Sequence, residues 1–548
     1  MRHRGVRLKL VAVAAIAAAA LPFVAMAQVA APTQSTVVAS APIDNVGYTL
    51  AFDRTSAGEG AVRVEMSFTT AGDEPVLLSL PAWTPGAYEI SNFSRWVAGF
   101  TAESDGKPLE WDKTDHDTWR IRPEGARSVT VSFDFTADTL DNAMTWIEPD
   151  FLLVNGTNVF MFPEGRPLDY DSRVKVQTEA DWRIATGMTP GAEPATFTAA
   201  SYHDLVDMPF FIGAFDIDSA RIAERWVRFA TYPRGSVAGA TRARIWEQIS
   251  GVIPPQVAVF QDTPFDAYTI LQIVEESYGG ASGLEHQNSH VNVVLPLVLD
   301  HPFMPSLISH EIFHAWNVKR LRPATLWPYQ YAVPQPATLL WMSEGITDYY
   351  ADLAQVRGGV IDSTEFLRVT AGKIDEIAAL PQVALEDASL STWVHPADGT
   401  GYIYYPKGSL AGFMLDILIR DASDNRGSLD LVLRELYQST YKLGSGFIEA
   451  DFWRVASRVA GGHDFADFAE RYVDGRERYP WDSVLALAGL RIISDTTRTP
   501  LRGLGAQRIE RRIEPDPNAS AKARRILAGI LHGRVDDQDP RKRETPQQ

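Results

Sequence analysis

The chain contains no cysteine. Disulfide scaffolds, thiolate metal sites and cysteine nucleophiles are therefore excluded. It also has no surplus of positive charge. Its 51 Lys and Arg face 69 Asp and Glu, a formal charge of −18. Nonspecific binding to a phosphate backbone depends on clustered cations, so no nucleic-acid partner is expected. Outside the N-terminus there is no long uninterrupted apolar run, so no membrane-spanning helix is expected there. Histidine is scarce, at 11 of 548 residues, which makes any patterned pair informative. Core material is plentiful: 45% hydrophobic and 22% charged residues are ordinary globular proportions. At roughly 150 residues per domain, the length suggests three or four domains.

The N-terminus carries Arg2, Arg4, Arg7 and Lys9, then an apolar run from Leu10 to Val24, then Ala25-Met26-Ala27. This order reads as a secretory signal peptide over 1–27, with cleavage after Ala27 and export to the periplasm. Losing its four cations would take the net charge from −18 to −22. A retained anchor is the alternative, although the run is short for a full span. After cleavage no stable membrane anchor is expected.

The remainder divides by pattern. Residues 28–44 are rich in Ala, Thr, Ser and Pro and read as a linker. Over 46–216, short alternating runs such as Arg63–Phe68, Val129–Phe133 and Val174–Val176 predict an antiparallel β-sandwich-like domain. Residues 217–404 turn to helical periodicity and hold the chemistry. Residues 405–485 read as a helical domain. Residues 486–548, mixed in charge and containing Pro, are expected to be a poorly ordered tail.

His310-Glu311-Ile312-Phe313-His314 is an H-E-x-x-H motif. Histidines at i and i+4 share one helix face, so both can bind a single zinc ion. Glu311 lies one residue round and suits a general base acting on water at the metal. About 0.01 such matches are expected by chance in a chain with so few histidines. Ser306 is expected to cap the helix, Ile308, Ile312 and Ala315 to face a core, and Pro323 to stop it. Zinc needs a third protein ligand. The helical pattern Leu340–Tyr350, ended by Gly358-Gly359, offers Glu344 in apolar surroundings where an unpaired charge would be costly. Asp348, at i+4, is expected to accept the N–H of a ligand histidine. His290 and His301 have no metal spacing and read as structural.

H-E-x-x-H followed by W-x-x-E-G-x-T resembles the gluzincin peptidases, which include aminopeptidase N and thermolysin. The longer string His310–Pro323, together with Trp83-Thr84-Pro85-Gly86-Ala87-Tyr88 and Leu205–Pro209, closely resembles the glycyl aminopeptidase family over roughly residues 46–490. The resemblance implies an α+β multidomain fold, in which a thermolysin-like zinc catalytic domain lies between the β domain and the helical domain. It also implies two further roles. Tyr405, in Tyr402–Gly408, falls on the tyrosine that donates to the tetrahedral oxyanion. Glu285, in Ser282-Gly283-Leu284-Glu285-His286, falls on the glutamate that binds the substrate's free α-amine, and Gly283 falls on the substrate-flanking strand. His286 stands where those relatives carry asparagine. Many relatives end in a PDZ domain, and residues 486–548 lack its pattern.

The expectation is a secreted zinc aminopeptidase with one Zn²⁺ per chain on His310, His314 and Glu344. Its partners are peptides with a free N-terminus, and the family suggests small first residues, Gly or Ala. A zinc endopeptidase, a catalytically weak peptide-binding relative, or a zinc hydrolase acting on another substrate would keep the same metal residues. Nothing in the sequence speaks to oligomeric state.

Overall fold

The computed structural model describes residues 39–136, 139–499 and 506–536. The signal-peptide reading of 1–27 and most of the linker lie outside them, as does the tail beyond 536. Residues 39–44 are not a linker. Ser40 and Ala41 are buried, the Ser40 N–H donates to the Glu164 carbonyl and the Leu77 N–H to Ser40 Oγ. A strand already begins at Ile43.

The N-terminal half is built of sheets because its sequence alternates. In β2 (Ala61–Thr70), Val62, Val64, Met66 and Phe68 point inward while Glu65 and Ser67 face solvent, the two-residue period of a half-buried strand. This strand sits inside an eight-stranded sheet between β1 (Ile43–Phe52) and β3 (Ser128–Thr136), with β4 (Ser172–Thr178) on the far side of β1. The sheet is not wholly antiparallel as expected: β1 and β4 pair in parallel, Gly47 opposite Arg173. Parallel neighbours need a long crossover, and residues 53–171, which contribute strands to this sheet and to two four-stranded sheets, supply it.

The next sheet has five strands: β5 (Asp216–Ile222), β6 (Arg225–Tyr232), β7 (Ala267–Val274), β8 (Ala281–Glu285) and β9 (Ser289–Val294), in the order β5-β6-β7-β9-β8. Its centre is parallel and its edges antiparallel. Helix α1 (Gly239–Phe260) makes the crossover between β6 and β7. Helices then dominate: α2 (Phe303–Phe313), α3 (Thr347–Arg357), α4 (Ser363–Ala379), α5 (Tyr404–Ala422) and α6 (Leu429–Ser439). The chain is thus a mixed α+β protein, sheet-rich at the N-terminal side and helical towards the C-terminus. No helix among the described residues is long and apolar enough to cross a membrane.

Of the tail expected to be poorly ordered, residues 486–499 and 506–536 are folded. Leu490–Thr499 and Ala506–Pro515 form a hairpin. Helix α7 (Ala521–His532) then docks with Ile526 and Ile530 fully buried. Arg524 and Arg525, part of the charge that suggested disorder, lie on the outer face of this amphipathic helix. Buried cations also hold it: Arg357 Nε donates to the Ile530 carbonyl at 3.0 Å and Arg420 Nη1 to that of Arg534 at 2.7 Å. Arg357 ends α3 and Arg420 lies on α5, so α7 braces both. Removing a buried isoleucine side chain costs about 2–5 kcal/mol. Ile530→Ala should therefore lower the thermal midpoint by several degrees. A midpoint within about a degree of wild type would mean that α7 is not part of the cooperative core.

Candidate active site

Helix α2 presents His310 and His314 one turn apart. It begins at Phe303, three residues before Ser306, so Ser306 is an interior residue and not the cap. The Phe303 N–H instead meets His301 Nδ1 at 3.1 Å. Nor does Pro323 stop the helix. It ends at Phe313 because the chain folds back at once: His314 Nδ1 meets the Asn317 carbonyl at 2.7 Å and the Lys319 N–H donates to the His314 carbonyl. Ile308, Ile312 and Ala315 face the core as expected. Donating Nδ1–H to a carbonyl leaves His314 Nε2 with a free lone pair.

Glu344 comes from a π-helical turn, Trp341–Ile346, that runs straight into α3 and is closed at Gly358. Such one-turn widenings recur at functional sites. This one is set by two glycines. A Cβ on Gly345 would stand 2.5 Å from Gly408 Cα, and one on Gly408 would stand 2.7 Å from the Trp341 carbonyl oxygen. Bare backbones therefore touch, and the first turn of α5, with Tyr405, lies against the turn that bears Glu344.

The donor atoms converge. His310 Nε2 and His314 Nε2 are 2.9 Å apart, and Glu344 Oε2 lies 3.5 and 3.2 Å from them. Tetrahedral ligands bound at about 2.0–2.2 Å stand about 3.3–3.6 Å from one another. Two imidazoles and one carboxylate at this spacing fit a zinc ion with an open fourth position. Glu344 is only 2% exposed. Burial opposes its ionisation, yet His314 and His310 hold it well below the usual carboxylate range.

Glu311 is also buried, and burial raises its pKa to about 8. Its Oε2 has no hydrogen-bond partner. The side chain lies directly over Gly283 on edge strand β8, where any Cβ would fall 2.1 Å from Glu311 Oε1. Gly283 is thus a clearance that lets the carboxylate lie flat on the strand, and its carbonyl accepts from Asn142 Nδ2 at 2.6 Å. At the end of that strand Glu285 is 4% exposed, and its Oε1 also lacks a hydrogen bond. Glu285, Glu311 and His314 each place one ligand-type atom within 4.8 Å of the others'.

Tyr405 is half-buried, its ring centre 5.9 Å from that of His310. Its neighbour Tyr404 is buried and spends its hydroxyl on Thr392 Oγ1 at 3.0 Å. Asp348 departs from expectation. Its Oδ1 stands 3.9 Å from His310 Nδ1, too far for a hydrogen bond. Lys373 on α4, an unforeseen partner, draws it away, with Nζ 2.5 Å from Asp348 Oδ2 and 2.7 Å from Asp352 Oδ2.

The cationic run after His314 is buried and not a solvated patch. Lys319, its side chain wholly enclosed, contacts Asp207 Oδ1 at 3.0 Å and Glu285 Oε1 at 3.7 Å. Arg320 donates to the carbonyls of Gln287, Ala315 and Pro264. Asp207 also meets His286 Nδ1 at 3.1 Å, and burial lowers the His286 pKa. Trp83–Tyr88 reaches in from the β domain. Trp83 Nε1 donates to the Gln330 carbonyl, and the Tyr88 hydroxyl donates to Glu344 Oε1 at 3.0 Å. His290 is buried between Tyr268 and Asn292.

Comparison with known proteins points the same way. Residues 48–214 match the peptidase M61 N-terminal domain and residues 304–411 match the M61 glycyl aminopeptidase domain. Among solved structures, an aminopeptidase N family protein from Idiomarina loihiensis is 24% identical. It superposes with a TM-score of 0.76 over 84% of this chain and 81% of that one. An M1 zinc metallopeptidase from Deinococcus radiodurans is 14% identical, with a TM-score of 0.50 over 80% of this chain and 96% of that one. At these identities the likeness is one of fold. No curated protein sequence matches significantly.

The buried lysine yields a test independent of activity. Removing one member of a buried ion pair typically costs about 3–5 kcal/mol. Lys319→Met would leave Asp207 and Glu285 without their cation, so its thermal midpoint should fall clearly below that of wild type. An unchanged midpoint would show that the two acids are balanced by other groups.

Proposed function

The chain belongs to the M61 glycyl aminopeptidase family of metallopeptidases, and we propose on that premise that it is a zinc aminopeptidase removing N-terminal residues from peptides. The observation that carries this reading is a pair of buried carboxylates, Glu311 and Glu285, each with an oxygen that accepts no hydrogen bond, beside the His310–His314–Glu344 triangle. One zinc ion per chain would be held by these three residues. When bound, it would supply a Lewis acid that polarises the scissile carbonyl and makes water a nucleophile at neutral pH.

The protein's own groups do the rest. Glu311 takes a proton from the attacking water and returns it to the leaving amine. Tyr405 is half-buried, and its hydroxyl donates to the carbonyl oxygen as negative charge develops there. Glu285 recognises the α-ammonium. Lys319 is a single cation between two carboxylates, Asp207 and Glu285, so one negative charge remains for a substrate ammonium to offset. That requirement favours a free N-terminus over an internal peptide bond. A small first residue, Gly or Ala, and export directed by residues 1–27 complete the proposal.

Two experiments test it. Free aminoacyl anilides should be cleaved and their N-acetyl forms ignored. Glu285→Ala should retain zinc yet lose about 30- to 4,000-fold in kcat/KM on the free-amine substrate, the kinetic equivalent of about 2–5 kcal/mol for a buried charge left unpaired. Efficient cleavage of N-acetylated peptides would instead favour an endopeptidase. The tyrosines are told apart separately. Tyr405→Phe should lower kcat by about 100-fold or more with little change in KM, whereas Tyr404→Phe, whose hydroxyl is bound to Thr392, should not. The reverse ranking would move the oxyanion role to Tyr404.

A further inference from the structure

The segment Ala82–Asn92 belongs to the β domain, yet it is pinned against the catalytic half at several points. The Ala82 N–H donates to the Tyr331 carbonyl at 2.7 Å, and Trp83 packs edge-on against Tyr329 and Trp393. Thr84 Oγ1 and Thr157 Oγ1 meet at 2.6 Å, and the Ser91 and Asn92 N–H groups close back onto the Ala82 carbonyl. Between these anchors the backbone is forced into the left-handed region twice. Gly86 has φ +102° and Tyr88 has φ +50°. A bulky aromatic rarely adopts that conformation, and holding it there costs of order 1–3 kcal/mol. Strain of this kind persists where the surroundings fix it, and here it points one side chain at one target.

That target is Glu344. Its two oxygens have separate surroundings: Oε2 faces the imidazoles of His310 and His314, while Oε1 accepts from Tyr88. Carboxylates rotate readily about their terminal torsion. A donor on the outer oxygen fixes which oxygen is offered inward. Gly86, two residues earlier, is equally constrained, since a Cβ there would stand 2.7 Å from both oxygens of Glu285.

We propose that Tyr88 is a positioning residue of the metal site, contributed by the β domain, whose hydroxyl holds the Glu344 carboxylate so that Oε2 stays aimed between the two histidines. The proposal rests on the zinc reading above, and the experiment separates the two. Hydrogen-bond partners of a metal ligand typically tune affinity by about 10–100-fold. Tyr88→Phe removes only the hydroxyl and keeps the packing against Trp393. Its zinc dissociation constant, measured by competition with a chromogenic chelator, should weaken by about 10–100-fold, while the thermal midpoint of the metal-free protein stays at the wild-type value. Glu344→Ala, measured alongside, should lose the site altogether. If Glu344→Ala loses zinc and Tyr88→Phe binds it with wild-type affinity, the positioning role is overturned and the zinc reading stands. If wild-type protein and Glu344→Ala bind zinc alike, both are overturned. If Tyr88→Phe weakens zinc only in proportion to a lowered metal-free midpoint, its role is packing and the proposal also fails.

Discussion

Burying the Glu344 carboxylate is the constraint from which the surrounding architecture follows. An ionised acid with 2% exposure must be compensated from every side. Two imidazoles face one oxygen and the Tyr88 hydroxyl faces the other. Meeting those demands fixes three pieces of backbone. Helix α2 must present His310 and His314 one turn apart, the π-helical turn must lower Glu344 between them, and the β domain must come close enough to deliver a phenol. The glycine contact between Gly345 and Gly408 then sets the depth of that turn, and with it the approach of Tyr405.

A second layer of charge surrounds the first. Lys319 bridges Asp207 and Glu285, and Lys373 bridges Asp348 and Asp352. Lys319 is enclosed and Lys373 half-buried, and each joins elements that no local pattern connects. The site is therefore an alternating arrangement of buried acids and bases whose members depend on one another for compensation. A change at one member propagates through electrostatics even where no atom moves far.

What was legible in the sequence was local. The i, i+4 histidines and Glu311 announce themselves because a helix repeats every 3.6 residues, and alternation in Arg63–Phe68, Val129–Phe133 and Val174–Val176 is the pleat of a strand written out. Glu344 could be found because an acid amid apolar neighbours needs a reason. The rest was carried by distance along the chain. Tyr88 and Glu344 are 256 residues apart, and Asp207 and Lys319 are 112 apart, and no periodicity spans such gaps. Nothing local marks Lys319 and Arg320 as buried; the fold encloses them. Asp348 went astray because spacing placed it near His310 but could not show Lys373 competing for it. The final helix was misjudged because its charge was counted without its periodicity: Ile526 and Ile530, four apart, were the signal.

That final helix has a consequence for the order in which the molecule can be completed. The helix bearing Tyr405 is braced by residues 521–532, about 100 residues further along the chain. During synthesis, α3 and α5 emerge with the apolar surface destined for α7 still open. Domains tend to form as their sequence becomes available, so the β domain can settle early while the reactive centre waits for its brace. A hydrolase built in this order has no braced reactive centre until residues 521–532 have been made.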